Sequence, residues 1–141
     1  MAKTIHAELR VPSNLEEVRP IQDDIESGLQ VHDFGDSDLF AVKLAVEEAL
    51  VNAIKHGNQL DPTKTVEVRY TIDAAVFEIC IRDEGPGFDP GDLPDPTADD
   101  FLERPCGRGV MLIKCFMTQV DYVGRGNEVV MRKEKSVPDM E

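Results

Sequence analysis

Alternating apolar and polar positions predict five strands along the chain. Residues 4–11, TIHAELRV, alternate with a period of two, which is typical of a strand with one buried face. The runs 65–72 and 76–83 alternate in the same way and are rich in β-branched residues. Because only DAA separates them, they predict an antiparallel hairpin. Residues 119–123 and 127–134, on either side of GRG, predict a closing hairpin.

Apolar residues that recur at helical spacing predict helices between these strands. The first helix follows Pro12, where Ser13 and Glu16 match a capping box, and its apolar stripe continues to about residue 30. Pro20 is expected to weaken or bend the start of this helix, because proline lacks a backbone donor.

The second helix is predicted over residues 39–56 and is the most regular. Asp36 or Ser37 can cap its start, and Gly57 is a natural terminator. A third helix is predicted over residues 109–119. The resulting order is β-α-α-β-β-loop-α-β-β. Helices grouped beside hairpins favour an α+β two-layer sandwich over an alternating βαβ fold.

The segment from Glu84 to Pro105 differs in character from the rest of the chain. It holds five of the nine prolines together with many acidic residues. A long loop inside a compact domain is usually functional or disordered. The chain is expected to form one domain over residues 1–141, with this loop inside it and a frayed tail at about residues 136–141.

The chain is strongly acidic, with 15 Lys and Arg residues against 28 Asp and Glu residues and a net charge of -13. Such a surface repels phosphate backbones and anionic lipids, so neither nucleic-acid binding nor a membrane role is expected. The cysteines Cys80, Cys106 and Cys115 show no paired spacing, which fits reduced thiols in a cytoplasm. No signal peptide or membrane-spanning run is recognisable, so a cytoplasmic protein is expected.

Three short stretches combine polar residues with glycine in ways that suggest a site. In residues 47–58, EEALVNAIKHGN, the side chains of Glu48, Asn52 and either Lys55 or His56 fall one above another on adjacent helical turns. Taken alone, this stripe is more readily explained by an exposed polar helix face.

The other two stretches pair glycines with a charged residue. In residues 82–90, RDEGPGFDP, an acid at a strand end can accept hydrogen bonds from a base or a ribose, and the glycines let a ligand approach the backbone. In residues 106–112, CGRGVML, Gly-x-Gly opens an apolar helix and offers backbone N–H groups to an anion, with Arg108 as a further donor. Each pattern alone is also typical of a turn or loop.

Together and in this order, the three stretches resemble the GHKL (Bergerat-fold) ATPase superfamily and, within it, the small anti-sigma factor serine kinases. EEALVNAIKHG is similar to the family's N-box, RDEGPGFD to its D-x-G-x-G box, and GRGVMLIKCFMTQVDY to its second glycine box. The resemblance covers roughly residues 3–134. It implies a Bergerat-type sandwich, in which about three helices cover one face of a mainly antiparallel sheet.

The resemblance implies that the chain binds ATP and Mg²⁺. Asn52 corresponds to the N-box asparagine that holds Mg²⁺, and Glu48 corresponds to the glutamate that acts as general base. The neighbouring Glu47 would point about 100° away around the helix and is the weaker candidate for the base. Two interpretations stay open for Lys55 and His56, which either neutralise phosphate oxygens or fix the helix end.

On the adenine side, the resemblance assigns Asp83 to the exocyclic amine of the base. Gly85 and Gly87 would make room for the purine beside the backbone. Asn127 stands near the position where many relatives carry a threonine that contacts the nucleotide, and its amide could substitute for that threonine.

On the phosphate side, Gly107 and Gly109 would shape the turn that faces the phosphates, and Arg108 would contact them. The acidic, proline-rich residues 89–106 take the place of the family's ATP lid. Because this segment would repel the phosphates of ATP, Mg²⁺ is expected to matter strongly for nucleotide binding.

The resemblance also implies partners. The leading hypothesis is an ATP-dependent serine/threonine kinase that sequesters a sigma factor and phosphorylates a STAS-domain antagonist in a partner-switching pathway. Relatives commonly form a homodimer through the first strand and helix. The alternatives are a non-catalytic, nucleotide-gated binding module and a switch kinase without a sigma factor. The catalytic part of a histidine kinase is not expected, because 141 residues leave no room for a phosphoacceptor domain.

Overall fold

The structure is a computed structural model that describes residues 3–85, 117–123 and 127–136. Its elements in chain order are β1 (Ile5–Pro12), a 3₁₀ turn (Leu15–Glu17), α1 (Val18–Val31), α2 (Asp36–Val51), a π-helical turn (Asn52–Gly57), β2 (Thr65–Ile72), β3 (Val76–Arg82), β4 (Gln119–Val123) and β5 (Glu128–Glu134). The five predicted strands are all present, with shifts of one residue at some ends.

The five strands form an antiparallel sheet in the order β1-β2-β3-β5-β4. Asp73 closes the predicted hairpin of β2 and β3 by accepting hydrogen bonds from the backbone N–H groups of Ala75 (2.7 Å) and Val76 (2.8 Å). In the closing hairpin, β5 pairs with β3 on one side and with β4 on the other. Arg82 pairs with Glu128, so the end of β3 lies beside the start of β5.

One face of the sheet packs against the helices and carries the core. The buried side chains of its three central strands alternate along each strand: Val66, Val68, Tyr70, Ile72, Phe77, Ile79, Ile81, Val129 and Met131. The helices contribute apolar side chains at helical spacing: Ile21, Ile25, Leu29, Val42, Val46 and Leu50. The predicted α+β two-layer architecture is therefore confirmed.

Two α-helices lie within the described residues, one fewer than predicted. The third predicted helix, residues 109–119, lies outside the described residues up to position 116, and its end is wrong because Gln119 begins β4. The predicted loop segment 89–106 also lies outside the described residues. None of the described helices is long and apolar enough to span a membrane.

The start of the first helix differs from the predicted capping box. Asn14 rather than Ser13 is the cap, since the Asn14 Oδ1 accepts a hydrogen bond from the Glu16 N–H at 2.9 Å. The Ser13 hydroxyl instead donates to the Lys64 carbonyl at 2.8 Å, which ties this junction to the start of β2. Pro20 lies in the first turn of α1, where backbone N–H groups have no intrahelical partner, so the helix tolerates it.

The second helix lies where it was predicted, but its two ends differ from their predicted form. Gly35 is the N-cap residue and forms no side-chain hydrogen bond, so neither Asp36 nor Ser37 acts as the cap. At the other end, the α-helix stops at Val51 and continues as the π-helical turn Asn52–Gly57. This turn carries the second half of the polar stripe that was predicted as a site.

Asp38, in the first turn of α2, ties the end of the described chain to the helices. Its side chain is only 2 % exposed. The carboxylate accepts hydrogen bonds from the Ser136 N–H (2.8 Å) and the Ser136 hydroxyl (2.5 Å). The ammonium group of Lys133 lies 3.7 Å from it. The segment after β5 is therefore fixed against the helical layer.

Replacing Asp38 by alanine is expected to lower the free energy of unfolding by about 2–3 kcal/mol, because it removes hydrogen bonds to a buried charged group. Chemical denaturation measures this loss. Asp36→Ala is the matched control: Asp36 lies in the same helical turn but is exposed, so its loss should cost less than about 1 kcal/mol. Equal losses in the two variants would contradict a stabilising role for the Asp38 contacts.

Candidate functional site

The polar stripe on α2 crosses the change from α-helix to π-helix. Glu48 lies in the last turn of α2, and Asn52 begins the π-helical turn. Both side chains are half-buried, and neither forms a hydrogen bond or an ion pair with another described residue. An acid and an amide that are partly shielded from water, and that the described protein groups leave unsatisfied, are suited to contact a ligand.

The π-helical turn is wider than an α-helical one. The backbone N–H of Asn58 reaches back five residues to the carbonyl of Ala53, at 2.8 Å. Single π-helical turns inside or at the end of α-helices are frequent at functional sites, because they change the direction of the side chains that follow. The sequence alone did not predict this turn.

Two left-handed residues follow the π-helical turn. Gln59 has a φ of 54° and Leu60 a φ of 58°, whereas Gly57, the predicted terminator, still belongs to the turn. A left-handed backbone at a residue other than glycine costs on the order of 1–2 kcal/mol and persists only where surrounding contacts hold it. Because the left-handed residues come after Gly57, Gly57 does not end the helix in the way that was predicted. The reason for a glycine at position 57 is given by its contact with the Asp83 turn.

Burial raises the pKa of the Glu48 carboxyl above its ordinary value, and the charge of the neighbouring Glu47 raises it further. Both effects disfavour the ionised form. Once ionised, a carboxylate with a raised pKa is a stronger proton acceptor, which is the property required of a general base. Glu47 itself is exposed. The preference for Glu48 over Glu47 as the base stays a prediction.

Asp83 directly follows β3, and hydrogen bonds between its backbone and Asn127 hold it at the strand end. The Asp83 N–H donates to the Asn127 carbonyl at 2.8 Å, and the Asn127 side-chain amide donates to the Asp83 carbonyl at 2.8 Å. The Asp83 Oδ1 accepts a hydrogen bond from the Gly85 N–H at 2.7 Å. The buried Asn127 amide thus contacts the backbone of this turn. Its predicted contact with a nucleotide stays a prediction.

The helix end and the Asp83 turn approach each other more closely than side chains would allow. A Cβ atom at Gly57 would lie within 3.0 Å of the Asp83 carboxylate, and one at Gly85 would lie within 3.0 Å of the Gly57 carbonyl oxygen. Both positions therefore require glycine. The space that a side chain at Gly85 would occupy is thus filled by the backbone of Gly57. The predicted role of Gly85 in making room for a purine stays a prediction.

Asn58 is the residue of this region that the sequence reasoning missed. Its side chain is 0 % exposed. Its Oδ1 accepts a hydrogen bond from the Glu84 N–H at 2.7 Å, and its Nδ2 donates to the Ser13 Oγ at 2.9 Å and the Thr65 carbonyl at 3.0 Å. An asparagine after a glycine at a helix end is a common turn residue, so the sequence carries no signal that this one is buried.

The remaining predicted residues fall into two groups. Lys55 and His56 lie in the π-helical turn, and both are exposed. His56 has an interaction partner in the protein, whereas no hydrogen bond or ion pair joins Lys55 to another described residue. Four predicted residues lie outside the described part of the chain: Gly87, Gly107, Arg108 and Gly109.

The described residues do not form a metal site by themselves. No group of three or more His, Cys, Asp or Glu side chains among them could hold a metal ion. The amide of Asn52 offers one hard oxygen donor, and Mg²⁺ is usually held by one or two protein groups together with substrate phosphates and water. The donor set at Asn52 therefore suits a Mg²⁺ ion that arrives with a nucleotide.

Comparison with known proteins identifies the kind of domain. Residues 11–133 match the family described as histidine kinase-like ATPase domain. The chain is 37 % identical over 102 residues to the anti-sigma F factor of Halalkalibacterium halodurans, a match that covers 68 % of this chain and 69 % of that protein. The anti-sigma F factor of Geobacillus stearothermophilus is 33 % identical over 102 residues with the same coverage. That of Oceanobacillus iheyensis is 34 % identical over 105 residues, or 70 % of this chain and 71 % of that protein.

Replacing Gly57 by alanine is expected to displace the Asp83 carboxylate and to lower the free energy of unfolding by about 1–3 kcal/mol, as overpacking does. Denaturation measures the stability, and the amide resonance of Gly85, which donates to Asp83, reports the displacement. The matched control is Gly35→Ala, because nothing lies within 4 Å of a Cβ atom at Gly35. An unmoved Gly85 resonance in Gly57→Ala would show that the close contact does not exist.

The pKa of Glu48, followed by NMR, is expected to lie above 4.5 and to fall only part of the way back in Glu47→Gln, because burial is the larger of its two causes. A group with a raised pKa contributes stability that is fully present below its ordinary pKa and is lost as the pH rises through the folded pKa. Glu48→Gln should therefore gain stability over the wild type at neutral pH but not below pH 4.5. A gain of the same size at both pH values would contradict the shift.

Proposed function

Because the chain belongs to the GHKL superfamily of histidine kinase-like ATPases, and within it to the anti-sigma factor kinases, we propose that it is an ATP-dependent protein serine/threonine kinase that also sequesters a sigma factor. Its substrate is a serine or threonine of a STAS-domain antagonist. Phosphorylation and sequestration alternate, so the protein acts as a partner switch.

The observation that carries this proposal is the contact between the helix end and the Asp83 turn. Glycines at positions 57 and 85 let the π-helical turn that begins at Asn52 lie directly against the strand end that carries Asp83. By family resemblance, Asn52 belongs to the side of the site that holds the metal and phosphates, and Asp83 belongs to the side that holds adenine. A nucleotide that spans both sides is the ligand that fits this juxtaposition.

Glu48 acts as the general base in the proposed reaction. It accepts the proton of the substrate hydroxyl as the hydroxyl oxygen attacks the γ-phosphorus of ATP, and ADP leaves. Partial burial and the neighbouring Glu47 raise the pKa of Glu48, which strengthens it as a proton acceptor. The side chain has no hydrogen bond or ion pair to another described residue that would compete with the substrate hydroxyl.

Asn52 holds the Mg²⁺ ion that accompanies ATP, through its side-chain oxygen. The ion, when bound, offsets the negative charge of the phosphates, a charge that the acidic chain with its net charge of -13 would otherwise repel. Lys55, exposed in the same π-helical turn, supplies a positive charge to these phosphates. Arg108, with Gly107 and Gly109, contacts them from the second glycine box.

Asp83 accepts a hydrogen bond from the exocyclic amine of adenine and so selects the base. Its carboxylate already accepts the Gly85 N–H through one oxygen, and its peptide groups are tied to Asn127. An acceptor fixed in this way favours a base with the amine, because a base without it cannot donate that hydrogen bond to the carboxylate.

The proposed partners follow from the relatives. The three relatives compared above are all named anti-sigma F factors, so a sigma factor is the proposed target of sequestration. The homodimer is proposed to form through β1 and α1. The strand β1 suits such an interface because it lies at an edge of the described sheet, and an edge strand presents unpaired backbone groups.

The proposal is tested by phosphoryl transfer from labelled ATP to a STAS-domain protein captured from host lysate, followed by mapping of the phosphosite. Glu48→Ala should lower the transfer rate by about 10²- to 10⁴-fold and leave ATP affinity nearly unchanged, because general-base catalysis acts on the chemical step alone. The matched control is Glu47→Ala, which changes the exposed neighbour and should keep most of the activity.

Three results would redirect the proposal. Normal transfer by Glu48→Ala would show that another residue is the base. Capture of partners with nucleotide but without phosphorylation would support the nucleotide-gated binding module. Phosphorylation of a STAS-domain protein with no sigma factor in any nucleotide state would support a switch kinase that acts on another signalling complex.

A further inference from the structure

Asn58 joins four separate parts of the chain at one buried amide. It follows the π-helical turn, and its side chain is 0 % exposed. Its partners lie at the junction between β1 and α1 (Ser13), at the start of β2 (Thr65) and in the turn after β3 (Glu84). A buried amide at such a junction determines how these segments sit relative to one another.

Every polar group of Asn58 is used. The side chain donates both amide hydrogens, to Ser13 and Thr65, and accepts from Glu84. The backbone N–H donates to Ala53 at 2.8 Å, and the backbone carbonyl accepts from Asp61 at 3.0 Å. Few other side chains supply a donor pair and an acceptor in this geometry, and a buried group that loses its partner is costly.

The contact to Glu84 acts directly on Asp83, because the Glu84 N–H and the Asp83 carbonyl belong to the same planar peptide group. Asn58 accepts from the N–H of this group at 2.7 Å, and Asn127 donates to its carbonyl at 2.8 Å. Two asparagines from distant parts of the chain therefore hold one peptide plane at both ends. The Asp83 Cα lies in that plane, so the pair holds the backbone atom from which the Asp83 side chain leaves.

The side chain of Glu84 strengthens the same arrangement. Its carboxylate accepts hydrogen bonds from the Thr65 N–H at 2.5 Å and from the Thr65 hydroxyl at 3.2 Å. Thr65 is also the residue whose carbonyl accepts from Asn58. The turn after β3 is thus bound to the start of β2 both directly and through Asn58.

We propose that Asn58 is a positioning residue for the Asp83 carboxylate and that it thereby sets the selectivity of the site for a base with an exocyclic amine. This inference rests on the proposed function, in which Asp83 accepts the amine of adenine. Asn58 does not itself contact the nucleotide. It acts by holding the Asp83–Glu84 peptide from the side opposite to Asn127.

A merely structural role for Asn58 makes a different prediction. If Asn58 only stabilises the fold, its loss lowers the resistance to denaturant, and the folded fraction still discriminates between bases. If it positions Asp83, discrimination is lost in the folded protein. The ratio of the affinities for ATP and inosine triphosphate measures this, because inosine carries a carbonyl oxygen where adenine carries the amine.

The experiment compares calorimetric affinities for the Mg²⁺ complexes of ATP and inosine triphosphate in the full chain, under conditions in which denaturation curves show each variant folded. Asn58→Ala is expected to lower ATP affinity by about tenfold, as expected when a ligand loses one well-aligned hydrogen bond to a charged group. Affinity for inosine triphosphate should change little, so the ratio falls towards one.

Ser13→Ala is the matched control. It removes one partner from the donor side of the Asn58 amide and leaves the acceptor contact with Glu84 in place. Its stability should fall while its affinity ratio stays at the wild-type value. A ratio that fell equally in both variants would assign the effect to general loosening of the junction and would overturn the inference.

Asn58→Asp serves if the alanine variant does not fold. It keeps an acceptor for the Glu84 N–H but has no amide hydrogens for Thr65, so stability should fall and the affinity ratio should persist. Loss of the ratio in this variant, or an unchanged ratio in a folded Asn58→Ala, would overturn the inference. A wild-type protein that binds neither nucleotide, or both equally, would instead contradict the proposed role of Asp83 itself.

Discussion

The close contact between the end of the second helix and the end of β3 is the constraint on which the site depends. No side chain fits at Gly57 or at Gly85, because a Cβ atom at either would collide with Asp83 or with the opposing backbone. Since these glycines are 28 residues apart in sequence (85 − 57), the contact forms only when the sheet and helices have packed. The core thereby positions two groups of polar residues that local structure alone would leave unrelated.

The sequence predicted the parts of this arrangement that depend on local periodicity. Period-two alternation placed β2 at residues 65–72 without error, because each of its inward positions is apolar. Apolar spacing likewise located the second helix. Local pattern could not choose between neighbouring residues of equal capping ability, so Ser13 was predicted as the cap where Asn14 is used. It also could not show the burial of Asn58, because all of this side chain's partners are distant in sequence except Thr65.

The π-helical turn could not be predicted from the sequence either, because its local pattern is the same as that of an α-helix. Ala53 and Ile54 are apolar and buried, as an α-helix would also require, so the apolar spacing gives no sign of the wider turn. What holds the wider turn is tertiary: the approach to Asp83 and the hydrogen bonds of Asn58. Glu48 and Asn52, the predicted base and metal ligand, stand before and at the point where the helix widens, and their roles stay predictions.

The strain at the exit of the turn supports a role beyond stability. Gln59 and Leu60 both adopt left-handed backbone, which costs each of them on the order of 1–2 kcal/mol, and neither is a glycine that would relieve the cost. A fold selected for stability alone would end this helix at Gly57 in the usual left-handed conformation. Here Gly57 stays inside the turn, because its missing side chain is needed for the approach to Asp83. The left-handed residues follow at Gln59 and Leu60, and the hydrogen bonds of the buried Asn58 offset their cost. The geometry of the helix end therefore follows from the demands of the Asp83 turn.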